Sequence, residues 1–134
     1  AWSFWGLFSV DDENVSPRTY TPRKNFYTLA QISRFVRPGA QRIEVDGSPA
    51  LLKPLLAFYH SGQKRLALVG INSTAGEVVL HGSLEALPGV TALDLYYTTS
   101  TANLVQSGRM TVKDGKFTAT IPADCVFTLA SPPE

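Results

Sequence analysis

Three rhythms of apolar and polar residues follow one another along the chain. From Ala1 to Phe8 (AWSFWGLF) apolar side chains run almost unbroken and uncharged, the pattern of a strand buried on both faces. Ser9 to Thr21 (SVDDENVSPRTYT) is polar, rich in turn formers and acidic at Asp11, Asp12 and Glu13, which predicts a long loop. The second rhythm is helical: Phe26, Leu29, Ile32, Phe35 and Val36 recur at three- and four-residue spacing. Thr21 reads as an N-cap with Pro22 in the first helical position, and Pro38-Gly39 as the stop, so the helix is expected to end at Arg37.

After Gly39 the period drops to two. Arg42 to Val45, Leu52 to His60, Arg65 to Asn72, Glu77 to Leu80, Ala92 to Thr98, Leu104 to Val112, Lys116 to Ile121 and Val126 to Ala130 each read as a strand. Asp46-Gly47, Ser61-Gly62, Ala75-Gly76, Pro88-Gly89 and Asp114-Gly115 separate them, the last being the best two-residue hairpin signal. The fold class expected is mainly β: an antiparallel, immunoglobulin-like β-sandwich of about eight strands, preceded by one strand-loop-helix unit. The change of style divides residues 1–39 from residues 40–134. A strand followed by a helix is half of a βαβ repeat and cannot bury its faces alone, so polypeptide upstream is expected to cover it.

Composition fits that picture. At 134 residues, 44% hydrophobic and 17% charged, the chain has the size and apolar content of one folded domain and not those of a disordered segment. Twelve Lys and Arg against eleven Asp and Glu leave a net charge of +1, so no global field favours nucleic acid or an anionic membrane. A lone Cys125 excludes an internal disulfide framework and a Cys-rich zinc site, and reads as a small core residue. No apolar run is long enough to span a bilayer and no signal-peptide pattern is legible, so the chain reads as mature protein or a fragment. Two sequons, Asn14-Val15-Ser16 and Asn72-Ser73-Thr74, matter only in a eukaryotic secreted protein.

Chemistry is sparse. There is no nucleophile elbow, phosphate loop or HExxH helix, and no cofactor or metal is expected. His60 and His81 end neighbouring predicted strands, but two histidines lack the third ligand a metal site needs. Asp11, Asp12 and Glu13 supply carboxylates of the kind glycoside hydrolysis uses, yet adjacent loop acids are solvated and repel one another. Trp2 and Trp5 offer flat faces that stack on sugar rings, and on a regular strand they point to opposite sides. Phe58, Tyr59, Tyr96 and Tyr97 are the candidates for a sheet-face glycan platform, although each adjacent pair offers one ring per face.

The order of these motifs resembles the last barrel strand, last barrel helix and sandwich of family 30 glycoside hydrolases, the group of glucosylceramidases, β-1,6-glucanases and some xylanases. Phe26-Tyr27, Ser33-Arg34-Phe35 and Pro38-Gly39 carry the likeness most specifically, and LLAFYHSGQKRLALVGINST and FTATIPADCVFTLA are similar to later strands of the sandwich. The resemblance implies that residues 1–39 complete a (β/α)8 barrel and residues 40–134 form an ancillary sandwich of a secreted or periplasmic retaining β-glycosidase acting on a β-linked glycan or glycoside. It also implies catalytic glutamates on earlier barrel strands. Glu13, Glu44, Glu77, Glu85 and Glu134 match no such motif, so no catalytic residue is expected in this chain. Trp5 matches the second Trp of the family's W-x-x-W strand and is the substrate-contacting candidate, whereas Trp2 matches the first and is expected to pack. The helix is then expected to lay Phe26, Leu29, Ile32 and Phe35 on the barrel and to turn a polar face, with Arg34 and Arg37, to solvent or the sandwich. A stand-alone carbohydrate-binding module is the competing reading.

Overall fold

The computed structural model describes residues 7–10, 20–47 and 50–133, and gives ten strands and one helix among them. Six strands form one antiparallel sheet in the order β3-β4-β5-β10-β7-β8: β3 (Gln41–Ile43), β4 (Leu55–His60), β5 (Arg65–Asn72), β10 (Cys125–Ala130), β7 (Ala92–Thr98) and β8 (Val105–Thr111). Opposite lies the two-stranded sheet of β6 (Val78–Ser83) and β9 (Lys116–Ile121). The chain therefore leaves the large sheet twice, and the expected antiparallel fold is present with all eight predicted strands of its β portion.

Side-chain alternation places the core. Leu66, Leu68, Leu93, Leu95, Phe127 and Leu129 point from the large sheet toward Leu80, Phe117, Ala119 and Ile121 of the small one. Strand β9 buries every second residue, as a strand with one wet face must. Strands β5, β7 and β10 do not alternate, because Ala67, Val69, Asp94, Tyr96, Thr98, Thr128 and Ala130 on their other face are buried as well. Two facing pairs show how close the backbones come. Phe127 lies opposite Gly70 and Phe117 opposite Gly82, and a Cβ on Gly82 would sit 2.1 Å from the Phe117 ring.

The hairpin expectation needs one correction. Asp114 and Gly115 both take positive φ, 52° and 73°, and Lys113 and Lys116 exchange both backbone hydrogen bonds, which is the primed turn this dipeptide favours. The flanking strands then diverge, β8 to the edge of the large sheet and β9 to the small one, because their apolar positions belong to opposite walls of the core.

The helix also departs from expectation at both ends. Thr21 and Pro22 are neither cap nor first turn; with Tyr20 they form β2 (Tyr20–Pro22), which pairs with β1 (Phe8–Val10). The ladder continues one residue further, since the Arg23 N–H donates to the Leu7 carbonyl at 2.8 Å, and only then does α1 (Lys24–Ser33) begin. Arg23 is the N-cap and supplies no side-chain bond. So the expected Ser9 to Thr21 loop gives up both of its ends to strands, a pairing between segments that local propensity cannot register. Its acidic middle, Asp11 to Glu13, lies outside the described residues, as do Ala1 to Gly6 of the strand expected over Ala1 to Phe8, of which Phe8 is found opening β1. At the other end the helix stops at Ser33 and tightens through a Phe35 N–H to Ile32 carbonyl bond before Pro38. Gly39 makes the reversal with φ of +96°, and a Cβ there would meet His60 Nε2 at 2.6 Å, so only glycine fits.

Candidate functional site

The polar stripe of α1, not the apolar one, faces the large sheet. Gln31 is fully buried, and it is the one buried residue of the helix. Its Nε2 donates to Thr98 Oγ1 on β7 at 3.0 Å, and its Oε1 accepts from Thr128 Oγ1 on β10 at 2.7 Å. Thr98 Oγ1 in turn accepts from the Leu104 N–H at 2.9 Å. This chain of bonds satisfies every polar group it buries, as the low dielectric of the site demands. Past the helix end, Phe35 packs on Tyr96 with ring centroids 4.6 Å apart, and the Arg34 guanidinium sits 5.4 Å and 5.3 Å from the two ring centres.

Leu29 and Ile32 therefore point the other way. Leu29 is 50% exposed and Ile32 39%, and the apolar surface continues through Phe26 to Phe8, whose rings lie 5.0 Å apart, with Leu7 also exposed. A helix that spends its polar face on a sheet and offers its apolar face outward is unusual for a self-sufficient domain. This is the face expected to meet a barrel. Phe35 does not join it, because the chain has left the helix at Ser33 and the ring covers Tyr96 instead.

The other candidates are dispersed. Trp2 and Trp5 lie outside the described residues. His60 ends β4 in the large sheet and His81 lies within β6 in the small one, so the two are not on neighbouring strands as the sequence suggested. Each ring has its own partner: Nδ1 of His60 accepts from the Gln63 N–H at 3.1 Å, and Nδ1 of His81 lies 3.2 Å from Thr118 Oγ1. Among the described residues no cluster of three or more His, Cys, Asp or Glu could hold a metal ion. Of the four rings proposed as a glycan platform, Tyr59 and Tyr97 pack against the core and Tyr96 lies under Phe35, while Phe58 is half-buried on β4. Cys125 is buried with its thiol bonded to the Pro122 carbonyl, and burial pushes its pKa up from 9.0 to about 11. The backbone hydrogen bond at Asn72 opposes that rise and the Asp124 charge adds to it. The sequence reading missed Gln31, whose only signal was a polar position on the helix face opposite Leu29 and Ile32.

An antiparallel sandwich carrying a helix pinned by its polar face, with the apolar face left open, defines the class of fold. In sequence and structure the chain matches the C-terminal part of family 30 glycoside hydrolases. It is 30% identical over 108 residues to glucuronoxylanase XynC of Bacillus subtilis (strain 168), a match that takes in 81% of this chain and 25% of that protein. It superposes on a family 30 endoxylanase from Clostridium papyrosolvens C71 with a TM-score of 0.69 and 25% identity, over 84% of this chain and 28% of the other. The catalytic domain of the family 30 xylanase C from Talaromyces cellulolyticus has the same fold at 23% identity and a TM-score of 0.69, over 86% of this chain and 25% of that one. No family model matches the chain. The chain spans about a quarter of the length of the relatives it matches. Among the described residues no helix is long and apolar enough to cross a membrane.

Proposed function

We propose that this chain is the C-terminal portion of a secreted, retaining family 30 β-glycosidase that cleaves a β-linked xylan. Residues 1–39 complete a (β/α)8 barrel formed mainly by upstream polypeptide, and residues 40–134 form the ancillary sandwich that braces it. The observation that carries this reading is the outward apolar stripe of α1, Leu29 and Ile32 with Phe26 and Phe8, on a helix already anchored by Gln31. Burying such surface against a second body is worth roughly 25 cal/mol per Å². The xylan assignment rests on the names of the relatives. Retention needs two carboxyl groups about 5 Å apart, and both are assigned to the barrel. Trp5, on the strand completing the barrel, is the residue assigned to touch sugar.

The test is Leu29→Asp with Ile32→Asp in the enzyme that contains both portions. The expected result is loss of a single cooperative thermal transition in favour of two, together with lower xylanase activity, while the 134-residue chain alone keeps its own transition. An unchanged single transition with unchanged activity would overturn the docking.

A further inference from the structure

Four cations gather in one cleft of a chain that is nearly neutral overall. Arg34, Arg37, Lys64 and Arg65 line a concavity of about 650 Å³ with Phe35, Gly62, Gln63 and Pro133, and among the described residues no acidic side chain lines it. The charge balance of the whole sequence, twelve basic to eleven acidic, would put an acid beside nearly every base, so four against none is a local segregation of charge. The ion pair of the described residues, Arg109 with Asp94, is elsewhere.

Two of the three guanidinium groups are held in place. Arg65 is half-buried and donates through Nη1 to the Pro132 carbonyl and through Nη2 to the Ser131 carbonyl, both at 2.7 Å, and Arg34 is seated over the Phe35 and Tyr96 rings. Carbonyl and ring partners orient a guanidinium without neutralising it. Arg37 and Lys64 are exposed, and Lys64 is presented from a left-handed position with φ of 53° in the turn between β4 and β5. A concave wall of one sign concentrates field lines and attracts counter-charge more strongly than the same charges spread on a convex surface.

We propose that this cleft is a binding site for the carboxylates of an acidic polysaccharide. The proposal rests on the glycan reading above and extends it to a charged substrate class. Guanidinium groups match carboxylates through paired N–H donors, and Lys64 adds a mobile point charge. The size of the cleft lies within the ordinary range for small-ligand pockets, about 300–1,000 Å³, so it suits one or a few uronate units better than the long charged track a nucleic acid needs.

Affinity electrophoresis of the 134-residue chain and of the assembled enzyme, through gels containing polygalacturonate or neutral xylan, tests this directly. Polygalacturonate is expected to retard both proteins, and the retardation to fade in strong salt. The variant Arg34→Gln, Arg37→Gln, Lys64→Gln is expected to bind at least about tenfold more weakly. Lys113→Gln with Lys116→Gln, which removes two cations that do not line the cleft, is expected to change binding by less than about twofold. Because Arg34 also packs on two rings, Arg37→Gln with Lys64→Gln serves as a second variant and is expected to weaken binding with an unchanged unfolding midpoint. Equal losses in the cleft and control variants, equal retardation by neutral xylan, or tighter binding to duplex DNA would each overturn the proposal. So would retardation of the isolated chain that vanishes in the assembled enzyme, which would give the cations to the barrel contact. Failure of the docking reading would appear in the Leu29 and Ile32 variant and leave this retardation intact.

Discussion

Asn72 shows how far one side chain can be committed. It is fully buried, its Nδ2 donates to the Gly76 and Pro122 carbonyls at 3.1 and 2.8 Å, and its Oδ1 accepts from the Thr74 N–H and Oγ1. The second sequon is therefore closed: secreted from a eukaryotic host, the folded chain should carry no glycan at Asn72, which glycopeptide mapping would read. Gly82 is committed by space instead. Gly82→Ala forces Phe117 to move and should cost about 2 kcal/mol in urea unfolding. At Gly76 nothing lies within 4 Å of an added Cβ, and Gly76→Ala should stay within about 0.5 kcal/mol. Cys125 makes a pH prediction. Its thiol holds its proton in the folded chain until about 11 and gives it up near 9.0 when unfolded, so the native state binds more protons between those values. Its contribution to stability is complete below about 9 and is lost as pH rises toward about 11, and Cys125→Ala should flatten that alkaline fall in a series of unfolding midpoints.

At the scale of elements, the bond between α1 and the large sheet is a polar contact that carries more than its size suggests. Gln31→Ala removes two buried side-chain hydrogen bonds, to Thr98 and Thr128, and opens a void at a fully buried position, and should lower unfolding free energy by about 2 kcal/mol, although Thr128 keeps the Gln31 carbonyl and Thr98 the Leu104 N–H; Leu29→Ala in the same chain should cost about 0.5 kcal/mol or less. That ranking reverses the usual expectation for a helix. Strand β8 depends on a different device. Most of its side chains are exposed, and Arg109 reaches back through Nε and Nη2 to both oxygens of the buried Asp94 on β7, at 2.7 and 3.1 Å. Asp94 raises the pKa of Arg109 through that hydrogen bond and through its charge, and Arg109→Gln should loosen the edge strand, seen as faster amide exchange along β8.

For the whole molecule, the distribution of buried and open apolar surface argues for a body made to be joined to another. The sandwich closes its own core, while the helix and the β1-β2 ladder keep Phe8, Leu29 and Ile32 exposed. Trp5 belongs to this scale, because its proposed contact with sugar exists only in the assembled enzyme. Trp5→Ala there should raise KM and lower kcat/KM about tenfold, corresponding to about 1.4 kcal/mol of transition-state contact; unchanged kinetics would return Trp5 to a packing role.

The β portion was legible because its apolar residues report burial directly. A period of two in β9, and mostly apolar runs in β5, β7 and β10, made these strands legible along with the other four, and Pro38-Gly39 marked the reversal between helix and sandwich. Motif order, above all Ser33-Arg34-Phe35 before Pro38-Gly39, pointed to the family. Only the tertiary structure decided which strands share a sheet, since the pleat records which residues are buried but not by which neighbour. It also decided that Thr21 and Pro22 pair with β1 in place of capping α1, because a ladder to a distant strand outweighs local cap preference. The seating of Gln31 beneath the helix was decided there too. Two threonines 67 and 97 residues away supply its hydrogen bonds, and separations of that length leave no trace in a local pattern.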